Sequence, residues 1–177
     1  MASPISCLSI LVIPLLVTSL SYHVSNADRA LLEYVCQKTS DYDYCLSALL
    51  SNNQSTTATP YTLGIISNDL TLAVIQDTNR EIADLFLNFT DPVDVTRILN
   101  CQKNIKDAYQ KVQNARLDAS QKSYSEEYKL IAAALEQTID CKNQYADPPE
   151  KEPPILNWTH KLETQADASF AIIDLLL

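Results

Sequence analysis

The sequence predicts an all-α protein: an up-down-up-down four-helix bundle preceded by a short disulfide-stapled N-terminal helical hairpin. Three observations carry that prediction. The 177 residues contain a single glycine, Gly64, and sheet-rich folds rarely manage their turns with so few. Apolar residues recur in steps of three and four over long stretches joined by short polar connections. Cys36 and Cys45 straddle one such connection, and Cys101 and Cys141 another.

The first 27 residues stand apart, because Asp28 is the first charged residue of the chain. Leu8–Leu20 is an apolar run that is short for a bilayer span and is broken by Pro14. Ser19-Leu20-Ser21 and Ser25-Asn26-Ala27 both suit a small-x-small cleavage rule. Residues 1–27 therefore read as a secretory signal peptide, and residues 28–177 as one mature domain. Cys7 and His23 leave with the leader, so four cysteines and one histidine, His160, remain. The net charge of −9 falls on the mature part, which argues against nucleic acid and membrane as partners.

Within that part, residues 28–39 and 42–50 read as two short helices turning at Thr39-Ser40-Asp41. A polar linker, 51–59, ends in a Thr-Pro helix start, and 60–177 make the bundle. The first long helix runs from about Tyr61 to Asn88, with Leu72, Ile75, Ile82, Phe86 and Phe89 as its stripe. Asp91 and Pro92 open the second, whose period is the cleanest in the chain: Ile98, Cys101, Ile105, Ala108, Val112, Ala115 and Ala119. The third spans about Tyr124–Tyr145, with Tyr128, Ile131, Leu135 and Thr138 inward. Residues 147–154, Asp-Pro-Pro-Glu-Lys-Glu-Pro-Pro, form a loop. The last helix starts near Leu156 and turns Trp158, Leu162, Ala166, Ser169 or Phe170, Ile173 and Leu176 inward.

Four cysteines allow three pairings, and antiparallel geometry selects one. Folding the chain near residue 121 places Cys101 and Cys141, each 20 residues away, at the same height. Folding at Thr39-Ser40-Asp41 brings Cys36 to Cys45. A metal clip is disfavoured, because these cysteines lack close C-x-x-C spacing and a neighbouring histidine.

Catalysis finds little support. No nucleophile elbow, zinc-helix, phosphate-loop or dinucleotide motif is present, so neither an enzyme nor a cofactor or metal protein is indicated. His160 reads as solvated, and Asp43, Glu126, Glu127 and Glu150 as exposed carboxylates. The tyrosines read as core or half-buried packing, and Gly64 as a close-packing position. Sequons at Asn53, Asn88 and Asn157 lie near element ends, where a glycan would be solvated.

The cysteine spacing, the stretch Leu63-Gly64-Ile65-Ile66-Ser67-Asn68 and its continuation to Ala73, Thr90-Asp91-Pro92, and Ala132–Cys141 together resemble the plant family of invertase and pectin methylesterase inhibitors. The resemblance implies a secreted, non-catalytic protein of the cell wall or vacuole that blocks a carbohydrate-active enzyme in a 1:1 complex. It also implies the same two disulfides. Invertase inhibitors of that family carry Pro-Lys-Phe before the third bundle helix; Lys122, Ser123 and Tyr124 occupy that place here, without the proline. Pectin methylesterase inhibitors often carry acids after the last cysteine, where this chain has Lys142-Asn143-Gln144. The target thus stays open between the two enzymes. A secreted bundle that carries a small apolar ligand or binds a receptor is the alternative.

Overall fold

The computed structural model describes residues 29–177. The expected signal peptide, with Cys7 and His23, lies outside the described residues. The described residues are helical throughout their regular structure. A first helix, α1, covers 29–36 and is followed by α2, Tyr42–Leu50, and a 3-10 turn, Ser55–Thr57. The long helices are α3, Pro60–Phe86; α4, Pro92–Ser120; α5, Tyr124–Asn143; and α6, Leu156–Ile173.

Local chemistry sets where each helix begins. Asp41 accepts the Tyr44 amide at the start of α2, Thr59 accepts that of Thr62 before Pro60, and Asp91 accepts that of Val93 before Pro92. Each cap satisfies an amide that has no partner inside its helix, and each proline fills a position where no amide is needed. Short connections make neighbours antiparallel, so α3 packs on α4 and α6, and α5 packs on α4 and α6.

Two cores result. Ile75, Ile82, Ile98, Ile105, Val112 and Ile131 fill the bundle. Leu32, Val35 and Leu49 of the hairpin bury against Leu63, Ala168 and Ile172 of α3 and α6. All three hairpin side chains are fully buried, and burial of such a group contributes roughly 1.5–3 kcal/mol. That suffices to seat two helices too short to persist alone. Polar contacts fix the register: the Ser40 amide donates to Asp167 Oδ2 at 3.1 Å, and the Ser40 and Thr164 hydroxyls lie 3.2 Å apart. The hairpin therefore packs on its own bundle.

Disulfides join Cys36 to Cys45 and Cys101 to Cys141, with Cα atoms 5.5 and 4.7 Å apart. The second ties α4 to α5 near the end opposite their shared turn. At that end Arg97, almost fully buried, holds the 147–154 loop by donating to the carbonyls of Asp147 and Pro149 at 2.6 and 3.0 Å.

Several inward positions differ from the sequence expectation. The α3 stripe runs Ile75, Thr78, Ile82, Leu85, with Phe89 packed on the same core just beyond the helix, which leaves Phe86 40% exposed. On α5 the inner row is Glu127, Ile131, Ala134, Thr138 and Cys141, which keeps Ile131 and Thr138 as expected but has Glu127 in place of Tyr128 and Ala134 in place of Leu135. Glu127 is thus buried rather than solvated, and Tyr128 sits 42% exposed on the flank with its ring centroid 4.6 Å from that of Phe170. Tyr34, Tyr42 and Tyr61 are also exposed, whereas Tyr145 is buried. The helices end earlier than their apolar patterns suggest: α1 at Cys36, α3 at Phe86 and α5 at Asn143.

A candidate docking corner at the α4–α5 turn

Lys122, Ser123 and Tyr124 form the corner where α4 gives way to α5. The turn is closed by a pair of backbone bonds, Lys122 N–H to the Ala119 carbonyl at 3.0 Å and Ser123 N–H to the Asp118 carbonyl at 2.9 Å. This is the Schellman pattern, and it requires a left-handed residue at the position Lys122 fills. Lys122 accordingly has φ 61°, the only positive φ among the described residues. Glycine adopts that conformation freely, whereas a side chain there costs on the order of 1–2 kcal/mol. The fold thus keeps a strained lysine where a glycine would be easier.

Lys122 Nζ stands 5.7 Å from the ring centroid of Tyr61, in the first turn of α3. The Tyr61 hydroxyl lies 3.5 Å from the Ser120 carbonyl. Leu117, 55% exposed, sits on the preceding turn of α4. Lys122 is exposed, and Ser123 and Tyr124 are half-buried. The corner therefore presents one cation, two aromatic rings and an exposed leucine on a backbone held by two helix ends. Aromatic anchors beside a cation suit recognition of another macromolecule more than bond-making chemistry.

The other singled-out residues lie elsewhere. Asn53, Asn88 and Asn157 are all exposed: in the turn after α2, just beyond α3, and in the first turn of α6. His160 is exposed on α6, its Nε2 3.2 Å from Asp41 Oδ2. The N–H of Tyr44 and then this imidazole hold the Asp41 carboxyl below its ordinary range. Among the described residues no three His, Cys, Asp or Glu side chains are placed to share a metal ion. No described helix is long and apolar enough to cross a membrane.

Sequence reasoning missed a polar layer inside the bundle. Ser67 and Ser169 hydroxyls meet at 3.0 Å, and Asn68 Nδ2 donates to Glu127 Oε1 at 2.7 Å, all four residues being buried. Glu127 could have been found by extending the Ile131, Ala134, Thr138 period one turn backward. The apolar interior leaves a cavity of only about 10 Å³, between Ile75, Val112, Ile131 and Leu162. That is about one water, too little for an apolar ligand at that point of the bundle.

Comparison with known sequences narrows the class. The sequence pattern described as plant invertase/pectin methylesterase inhibitor matches residues 30–171, and the chain belongs to that family. It is 28% identical over 169 residues to a pectinesterase inhibitor from Actinidia deliciosa, covering 95% of this chain and 91% of that protein. It is 26% identical over 107 residues to a protein named "Putative invertase inhibitor" from Platanus acerifolia, covering 60% of each. Two crystal structures share the fold: a mutant form of a pectin methylesterase inhibitor from Arabidopsis, TM-score 0.72, and a pectin methylesterase inhibitor from Arabidopsis thaliana, TM-score 0.63. Each is 16% identical and covers 82% of this chain, which in turn spans 97% and 95% of those chains.

Proposed function

We propose that this chain is a secreted, non-catalytic inhibitor that binds a plant pectin methylesterase or acid invertase one to one and blocks its active-site cleft. The observation that carries the reading is family membership across residues 30–171. Pectin methylesterase is the preferred target, because the alignment with the Actinidia pectinesterase inhibitor covers 95% of the chain. On this reading residues 1–27 are a removed leader, 28–177 are the inhibitory unit, and the protein acts in the apoplast, with the vacuole as the other compartment. Asn53, Asn88 and Asn157 are its glycan acceptors.

The physical basis is preorganisation. Two disulfides and a docked hairpin fix the surface before binding, so little ordering cost opposes association. The net charge of −9 steers the inhibitor toward a basic target, which makes the association rate fall with added salt. Lys122 and Tyr124 are assigned to the contact. Strained backbone conformations concentrate at functional positions, and the strained residue here lies within the stretch that the family resemblance singles out.

The test is inhibition of purified pectin methylesterase and acid invertase side by side, at pH about 5, where some carboxyls still hold a proton, and about 7, where ordinary ones are fully ionised. Pectin methylesterase is expected to be inhibited and invertase to be spared. Failure to inhibit either enzyme sinks the proposal. The corner is tested by Lys122→Gly, which relieves the backbone strain. The variant should be at least as stable as the parent yet inhibit more weakly. Undiminished inhibition would remove Lys122 from the contact.

A further inference from the structure

The Asn68–Glu127 contact joins α3 to α5 inside the bundle and carries a chemical inconsistency if Glu127 is ionised. Asn68 is 0% and Glu127 1% exposed. Asn68 Nδ2 donates to Glu127 Oε1 at 2.7 Å. The remaining oxygens, Asn68 Oδ1 and Glu127 Oε2, are both buried, and neither has a partner among the described residues. Both unpartnered oxygens belong to one contacting pair, and a proton on Oε2 would turn one acceptor into a donor, which Oδ1 would accept in a two-bond acid–amide ring.

We propose that Glu127 is a neutral carboxylic acid in the folded protein, and that its ring with Asn68 is a latch between α3 and α5 which acid closes and alkali opens. The surroundings fit. No charged partner compensates an anion there: Asp118 of α4 adds like charge, and Arg116 of α4 is engaged outside by Asp69. From α3 the groups in this layer are Ser67, Asn68 and Thr71, and from α6 Gln165 and Ser169, all uncharged. Neighbouring Glu126 on α5 points to solvent with Lys129. The positive end of α5 is the one feature that favours the anion. Burial opposes it more strongly and raises the carboxyl above its ordinary value of 4.5, against the Asn68 bond and with the help of Asp118.

The sign follows from proton linkage. The folded state holds a proton that the unfolded chain releases, so the latch is at full strength below 4.5 and weakens as pH rises toward the folded pKa. An inhibitor built this way is held tightest in an acidic medium and loosens on alkalinisation.

Glu127→Gln tests the idea. A glutamine keeps both ring bonds, its oxygen accepting from Asn68 and its amide donating back, but cannot ionise. Urea unfolding of parent and variant should give folding constants whose ratio, variant over parent, rises about tenfold per pH unit between 4.5 and the folded pKa, then levels off. The carboxyl carbon of Glu127 in the parent protein, followed by NMR, should keep its neutral-acid shift at pH values where exposed glutamates have ionised. That signal decides the matter even if the variant folds poorly. A Glu127 carbon that titrates at or below 4.5, or a stability ratio flat with pH, overturns the proposal.

Discussion

The two disulfides should differ in strength by an amount that follows from the chain they close. Cys36–Cys45 closes a separation of 9 residues and Cys101–Cys141 one of 40. In the chain-entropy model the longer loop contributes about 3.9 kcal/mol and the shorter about 2.6 kcal/mol, a difference of about 1.3 kcal/mol. The comparison is unusually clean because all four cysteines are buried, none more than 1% exposed, so replacing either pair by alanine removes similar packing. The hairpin core is continuous with α3 and α6 through Leu63 and Ile172, so both losses should register in one cooperative transition. The assay is urea unfolding of Cys36→Ala/Cys45→Ala and Cys101→Ala/Cys141→Ala, followed by far-UV circular dichroism. Loss of the α4–α5 bridge should also lower the melting temperature by roughly 8–16 °C for a chain of this size. A hairpin pair that costs as much as the bundle pair refutes the entropic ranking, as does a bundle pair that costs less than about 1 kcal/mol.

Three further outcomes follow from local geometry. Gly64 lies inside α3, and a Cβ built on it would meet Ile172 Cγ2 at 3.5 Å and Leu176 Cδ1 at 3.9 Å, ordinary contact distances. Gly64→Ala should therefore raise stability, by roughly 0.5–1 kcal/mol in urea unfolding. Lys122→Gly should add about 1 kcal/mol by relieving the left-handed residue in the α4–α5 turn, measured the same way. Asp41 has a folded pKa below its ordinary 3.8, chiefly through the Tyr44 N–H. Its contribution is present above 3.8 and disappears as pH falls through the folded value, so Asp41→Ala should destabilise the hairpin at neutral pH and not in strong acid. Hydrogen exchange of the α2 amides reads that difference.

How much of this was legible in the sequence depends on how each signal is carried. The α4 stripe was read correctly at every position, Ile98 through Ala119, because its inner face is apolar along that stretch, with the buried Arg97 just before it. On α5 the same reasoning placed Ile131 and Thr138 but missed Glu127 and Ala134. Its inner row opens with Glu127, and a search for apolar periodicity passes over a buried acid in favour of the adjacent Tyr128. Phe86 misled for the opposite reason, being apolar on a turn that faces away from the core. The polar layer of Ser67, Asn68, Glu127 and Ser169 depends on pairs 59 and 102 residues apart, which no local pattern encodes. Lys122-Ser123-Tyr124 was singled out only by the family resemblance, and its strain was hidden, since a left-handed turn usually announces itself with glycine and this one does not. The docked hairpin follows from Leu32, Val35 and Leu49, whose partners on α3 and α6 only the folded chain brings near.

The central claim is that a prefolded surface blocks an enzyme's cleft. Its most direct test is a titration of purified pectin methylesterase with the protein in mildly acidic buffer, with activity and complex formation by size exclusion measured on the same samples. The account predicts that activity falls in proportion to the complex formed and is lost near equimolar protein. Full activity in the presence of excess inhibitor, with no shift in elution, would contradict it.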